Sequence, residues 1–196
     1  MSAAVTLGLL IFLSAVLNEQ VAEGCKCLPR HPQQVFCESD VVIRAKIIGS
    51  VTSTHPDLVA FNIKVITKYK PSNKKDIRVI YSTKTSCGGV LNNGEYLLSG
   101  SLMDGVIVFG LCDFMWPWDQ LSSVQKGNLN MYRRGCVCEI ASCTGASCLT
   151  KKLQRKCLIG VNSLGLVYEE ALQSVCLPCR DGFCRWRKMI GNYKRS

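Results

Sequence analysis

The sequence predicts a mainly β protein with minor α, in which a five-stranded barrel with packed helical structure is followed by a small subdomain stapled by disulfides. Three observations carry this. Apolar and polar residues alternate over positions 41–114, turn signals punctuate that stretch at strand-length intervals, and thirteen cysteines divide the chain unevenly, with five at positions 25–112 and eight at 136–184. A period of two marks strands with one buried face.

Residues 41–51 open the pattern as a strand. In residues 58–69, Val59, Phe61, Ile63 and Val65 point one way while Asn62, Lys64 and Lys68 point the other. Residues 77–83, 96–102 and 106–111 continue the alternation, and the strands are separated by His55-Pro56-Asp57, Pro71-Ser72-Asn73, Asn92-Asn93-Gly94 and Asp104-Gly105, all turn-forming combinations. Five strands at this spacing suggest a small barrel. After Pro117, residues 119–132 carry Leu121, Val124 and Leu129 at helical intervals, with Asp119 at the cap position and Gly127 weakening the interior. The second lobe, residues 137–196, is too short for a large core and relies on its bridges; residues 168–175 read as one further helix.

The amino terminus is a leader. Residues 3–17 are apolar, Asn18-Glu19-Gln20 breaks the run, and the small residues Ala22 and Gly24 flank a cut. This is the pattern of a secretory signal over residues 1–24, whose removal makes Cys25 the first residue of the mature chain. The competing reading, a membrane anchor, needs about 20 apolar residues, more than this run holds. No second stretch reaches spanning length, so the expectation is a protein secreted to the extracellular space or matrix, with no membrane span. The thirteen cysteines then read as a disulfide framework, because the export route is oxidising, and an odd number leaves at least one thiol over. Structural zinc at Cys136-Val137-Cys138 and Cys176-Leu177-Pro178-Cys179 is the competing reading. The formal charge is +10, and loss of the leader, with Glu19 and Glu23 and no base, raises it by two. Acidic partners follow from that balance.

Catalysis finds little support. The chain has only two histidines, His31 and His55, each beside a proline, so a three-histidine zinc site is excluded. Neither HExxH nor GxSxG nor a glycine-rich phosphate loop occurs, and no carboxylate spacing points to a catalytic pair. The expectation is that the chain is not an enzyme and needs no cofactor of its own. Cys25 offers different chemistry. A free α-amine has a pKa of about 8 and ligates a metal that competes with its proton. With the carbonyl oxygen of the same residue it forms a five-membered chelate, and bridges from Cys25 and Cys27 would hold that chelate rigid. Such a terminus could displace the water at the open position of a catalytic zinc. A pair of structural bridges and nothing more is the other reading of these residues.

Several runs carry a family resemblance: Cys25-Lys26-Cys27; His31-Pro32-Gln33-Gln34 leading to Phe36-Cys37; Asp40-Val41-Val42-Ile43-Arg44-Ala45-Lys46; Leu111-Cys112-Asp113-Phe114; Trp118-Asp119; Gly135-Cys136-Val137-Cys138; and Cys184-Arg185-Trp186. On these the chain resembles the tissue inhibitors of metalloproteinases, whose first module is a netrin-like domain with an oligonucleotide-binding-type barrel. The resemblance implies an inhibitory netrin-like domain over residues 25–136 and a disulfide-rich subdomain with a basic tail over 137–196. It implies the bridges Cys25–Cys87, Cys27–Cys112, Cys37–Cys136, Cys138–Cys184, Cys143–Cys148 and Cys157–Cys176. Cys179 is left as the supernumerary thiol, free, capped or linked to another chain.

The resemblance further implies that Cys25 binds the zinc ion of a target protease through its amine and carbonyl. Lys26, Cys27, Leu28 and Pro29 would run along the primed side of the substrate cleft, and the 83–87 loop, with Thr85, Ser86 and Cys87, would cover the unprimed side. The implied partners are zinc metalloproteinases of the matrix type and their membrane-anchored relatives, met by a monomer in 1:1 complexes. Ile43 and Ala45 are expected in the core rather than at the contact.

Three departures from the family pattern bear on this. Lys26 stands where Ser or Thr is usual; burying an unpaired ammonium costs several kcal/mol unless it reaches water or an acid. The connection between the first two strands is short, and the tail carries Arg185, Arg187, Lys188, Lys194 and Arg195 with no acid. Lys64, Lys68, Lys70, Lys74, Lys75 and Arg78 fall on the outward face and connecting turn of the second and third strands. They read either as a solvated face or as a site for heparan-type glycosaminoglycans. Nucleic acid is not an expected partner, because aromatics are not interleaved with these bases in the sequence. Two functional readings stand: a zinc-protease inhibitor acting through Cys25, and a netrin-like module that binds a matrix component or receptor without blocking catalysis.

Overall fold

A computed structural model of the protein describes residues 24–70, 76–143, 154–160 and 172–188. Six strands form the first sheet: β1 (Val41–Val51), β2 (Leu58–Lys70), β3 (Val79–Thr83), β4 (Gly94–Met103), β5 (Val106–Phe109) and β6 (Met115–Pro117). They pair in the order β1-β2-β3-β5-β4, and β4 closes back on β1. The result is a five-stranded barrel with β6 added outside β4. All neighbours are antiparallel except β3 and β5. Closure leaves the five strands of the ring without a free edge, which is how small β proteins avoid edge-to-edge association.

The alternation in β1 explains its place. Val41, Ile43, Ala45 and Ile47 are almost completely buried and meet Phe61 and Ile63 of β2, Leu98 of β4 and Phe109 of β5 inside the barrel. Val42, on the opposite face, is also fully buried, because two helices cover that side. Register shifts at three places between β1 and β2 bend this long hairpin, as bulges do where a sheet must curl. The β4–β5 turn is the expected Asp-Gly pair, with Asp104 at φ 46° and Gly105 at φ 80°, the left-handed backbone that tight hairpins require.

Helix α1 (Pro32–Glu38) was not expected from apolar spacing. Its signal is local: Pro32 occupies the first turn, the Gln33 N–H donates to His31 Nδ1 (3.1 Å), and the His31 N–H donates to Gln34 Oε1 (2.9 Å). His31 is thus a buried helix cap rather than a turn residue. Helix α2 (Ser123–Gly135) corrects the helical segment expected over residues 119–132. Residues 118–120 form a single 3-10 turn, Leu121 is extended, and the cap is Ser122, which exchanges hydrogen bonds with Gln125 (3.1 and 2.8 Å). Asp119 lies in the preceding turn and is not the cap. Ser122 wins because its reciprocal bond with Gln125 satisfies two otherwise unpartnered amides at once. Gly127 is accommodated in open space.

In the second lobe, β7 (Glu139–Cys143) pairs in parallel with β8 (Lys156–Gly160), and β9 (Ser174–Pro178) pairs antiparallel with β10 (Cys184–Lys188). Ser174 and Val175 stand in β9, so the helix expected over 168–175 does not reach its predicted end; residues 168–171 lie outside the described residues. Cys138, Ile140, Cys157, Ile159 and Cys176 form the local core, with Trp186 packed against it and donating its indole N–H to the Leu158 carbonyl (2.7 Å). The sulfurs of Cys138, Cys176 and Cys184 lie within 4.8 Å of one another, but each belongs to a disulfide and none is a thiolate ligand. Val175 reaches across into the apolar cluster of Phe36, Leu129 and Tyr132, so the lobes share buried surface. No helix among the described residues is long and apolar enough to cross a membrane.

Candidate functional site

Residues 24–31 have no regular secondary structure. What holds them is covalent: Cys25 is bonded to Cys87 and Cys27 to Cys112, with Cα separations of 5.0 and 5.3 Å. Cys37–Cys136, Cys138–Cys184 and Cys157–Cys176 are also bonded. Cys143 is in a disulfide, while Cys148 lies outside the described residues. Cys179, half-buried, is the free cysteine among the described ones. Bridges across sequence separations of 62 and 85 residues remove much of the disorder of an otherwise untethered end.

The two bridge partners are themselves joined. The Leu111 N–H donates to the Cys87 carbonyl (2.8 Å), Gly88 bridges Gly110, and the turn at 110–113 closes through the Asp113 N–H on the Gly110 carbonyl (3.0 Å). Arg30 braces this turn from the other side: one guanidinium nitrogen donates to the Cys112 carbonyl (2.7 Å) and another pairs with Glu38 at the end of α1. The Asp113 carboxylate accepts from the Gly110 N–H (2.8 Å) and approaches the Ser99 hydroxyl (3.3 Å). Burial raises the Asp113 carboxyl above its ordinary value, opposed by the Gly110 N–H, Ser99 and the Arg30 charge. The native state therefore binds the Asp113 proton more tightly than the unfolded chain does. Its contribution to stability is complete below the ordinary carboxylate value and is lost as pH rises through the raised one. Urea titrations across that acidic window are expected to show this decline, and Asp113→Asn is expected to remove it.

The 83–87 arm is shaped by two glycines. A β-carbon at Gly88 would lie 1.9 Å from the Thr83 carbonyl oxygen, and one at Gly89 would lie 2.1 Å from Met115 Sδ. The Gly89 N–H donates to the buried Ser82 hydroxyl (2.6 Å), and the Thr85 side chain accepts from the Cys87 N–H (3.3 Å). Lys84 is held at both ends, its N–H on the Asp57 carbonyl (3.1 Å) and its ammonium on the Pro56 carbonyl. Gly88→Ala is expected to push this arm outward and cost roughly 2 kcal/mol, read by chemical denaturation of the fully bridged protein. The Gly-Gly pair after Cys87 was a legible signal for this constraint; Arg30 had none.

The edge so built is exposed. Lys26, Cys27 and Pro29 are open to solvent, as are Thr85, Ser86 and Cys87, with Cys25 half-buried between them. Leu28 is 84 % and Val90 86 % exposed, and Leu111 is 43 % exposed. A β-carbon at Gly24 would meet nothing within 4 Å.

The basic face is only partly as the sequence suggested. Lys64 and Lys68 are exposed, and Arg78 is exposed and paired with Asp76. Lys70 turns inward instead: its ammonium donates to the Cys37 carbonyl (2.6 Å) at the end of α1, and burial lowers its pKa. Lys74 and Lys75 lie outside the described residues. Lys46, which the sequence did not single out, stands directly across from Lys64. Aromatic rings also join the bases in space: the Arg44 guanidinium lies 4.3 Å from the Trp118 ring centroid, and Tyr69 stacks on the same ring.

Comparison with known proteins places this geometry. A family model described as "Tissue inhibitor of metalloproteinase" matches residues 23–186. The chain is 34 % identical over 194 residues to Metalloproteinase inhibitor 3 of Scyliorhinus torazame, covering 94 % of this chain and 91 % of that protein. It is 38 % identical over 197 residues to human Metalloproteinase inhibitor 2, covering 92 % and 87 %. To Metalloproteinase inhibitor 4 of Mus musculus it is 36 % identical over 181 residues, covering 84 % and 80 %. With a bridged amino-terminal segment seated on a closed five-stranded barrel and a match running nearly end to end, the chain belongs to the tissue inhibitor of metalloproteinase family.

Proposed function

We propose that the mature chain is a secreted inhibitor of zinc metalloproteinases of the matrix type, and that its amino-terminal Cys25 chelates the protease's catalytic zinc. The observation that carries this is the exposed edge at residues 25–29, with no secondary structure of its own yet tied to two neighbouring loops by Cys25–Cys87 and Cys27–Cys112. Cys25 offers its amine and carbonyl oxygen to the metal. Lys26, Cys27, Leu28 and Pro29 lie along the primed side of the cleft, and Thr85, Ser86 and Cys87 on the unprimed side. The edge is bound like a substrate but brings no scissile bond to the metal, and preorganisation by the bridges lowers the ordering cost of binding. The zinc belongs to the target, and the protein brings no cofactor. Titration of purified matrix and membrane-anchored metalloproteinase catalytic domains with the mature protein is expected to end at a 1:1 ratio. Full catalytic activity throughout, with every bridge verified, would overturn the proposal and leave the non-inhibitory binding module.

A second reading concerns sulfated glycosaminoglycans. Lys46 and Lys64 face each other across β1 and β2 with both side chains exposed. Directly opposed like charges are unfavourable in a sheet; Glu95 stands opposite Lys46 on β4 but is paired with Arg44, and a polyanion would relieve the two lysines. Lys68 is exposed on the same strand as Lys64, and exposed Arg78 is paired with Asp76. The double variant Lys46→Gln, Lys64→Gln is expected to leave heparin resin at clearly lower salt than the parent, whereas Lys70→Gln, which alters an inward-turned lysine, is expected to elute unchanged.

A further inference from the structure

We infer that the inhibitory edge is a cationic docking surface whose partners are metalloproteinases with acidic side chains on the rim of the catalytic cleft. This rests on the inhibitory reading above and adds the electrostatic character of the target. Residues 24–31 and 83–90, the two arms joined by Cys25–Cys87, contain Lys26, Arg30 and Lys84 and no Asp or Glu. Arg30 is spent internally on Glu38 and the Cys112 carbonyl. Lys26 and Lys84 are exposed, one on each arm. The Lys84 ammonium is steadied on the Pro56 carbonyl, and the amine of a processed Cys25 adds a third positive group between them.

The neighbouring acids offset only part of this charge. Glu38 is taken by Arg30, and Asp113 is half-buried and turned to Gly110 and Ser99. Asp57 is exposed and its backbone carbonyl holds the Lys84 N–H, so its carboxylate offsets part of the charge on that arm. The same edge presents Leu28, Val90 and Leu111. The edge therefore carries both exposed apolar residues and exposed cations, which fits a cleft of apolar pockets bordered by carboxylates. An acidic rim would speed encounter and a basic rim would slow it, since steering acts mainly on the association rate. Exposed charges act over about 10 Å at 0.1 M salt.

The test measures association and dissociation rates of the mature, fully bridged chain with one metalloproteinase catalytic domain and with the same domain after its cleft-rim Asp and Glu are changed to Asn and Gln. Sodium chloride is varied from low to high. With the native rim the association rate is expected to fall about tenfold across that range while dissociation changes little. Either the amide rim or the double variant Lys26→Gln, Lys84→Gln is expected to remove most of that dependence. Tight binding with an association rate indifferent to salt, to the rim and to both lysines would overturn the inference and leave the inhibitory reading standing. Failure of the parent chain to bind either domain at any salt would overturn both.

Discussion

One alanine added ahead of Cys25 is expected to abolish protease inhibition, weakening it by at least about a thousandfold, or roughly 4 kcal/mol. The addition converts the Cys25 amine into an amide, whose nitrogen has no lone pair free for a metal, and it places a methyl-bearing residue where the zinc would sit. Nothing else in the fold should respond. Residue 24 projects into free space, and both bridges that anchor the segment are made by side chains. The variant should therefore match the parent in melting temperature, disulfide count and heparin retention while its inhibition constant rises. Equal inhibition by the two forms, with the added residue verified by intact mass, would exclude the terminal chelate. The comparison also separates the two functional readings, because a module that binds matrix or receptor has no use for the amine.

Gln33→Ala is expected to produce the largest loss of stability from a single polar side chain, about 3 kcal/mol, lowering the melting temperature by roughly 10 °C. Gln33 is completely buried. Its amide nitrogen donates to the carbonyls of Gly135 (3.0 Å) and Cys176 (2.9 Å), and its oxygen accepts from the Cys176 N–H (2.8 Å). The side chain thus stands in for a neighbouring strand along β9 and ties α1, the end of α2 and the second lobe at one point. Truncation leaves three buried backbone groups without this partner. Gln33→Glu should be at least as damaging, since a carboxylate would face two carbonyl oxygens. Thermal unfolding with the disulfides intact measures both, and a change under 1 kcal/mol would mean that water replaces the amide without penalty. The close fit also explains Gly135, where a β-carbon would lie 2.3 Å from the Gln33 amide nitrogen and 2.2 Å from the Cys176 carbonyl oxygen.

These two sites differ in how they could be read. The Cys25 proposal rests on consecutive residues, because a leader, a cut and an amine are local properties, and the chemistry of an amine does not wait for a fold. Gln33 was visible only as part of a shared motif, His31-Pro32-Gln33-Gln34, with no indication of what its amide reached. Its partners lie 102 and 143 residues away. Helix α1 escaped apolar periodicity because a seven-residue helix is too short to display it, although Pro32 after a capping side chain was a sufficient local sign. Asp119 suits a cap by residue type; the reciprocal Ser122–Gln125 bond places the helix start one turn later.

The barrel strands, their turns and the buried face of β1 followed from the sequence by itself, because each depends on periodicity or residue type within a few positions. Only the tertiary structure decided that Lys70 turns inward onto the end of α1, that Lys46 joins Lys64 on the outer face, and that Arg30 braces the turn bearing Cys112. It likewise seated Lys26 and Lys84 on two arms of one exposed edge. The physical reason is the same in each case. A side chain's charge and shape are written locally, but the carbonyl, carboxylate or neighbouring cation it meets is brought to it by chain closure over tens of residues, and no local pattern records that meeting.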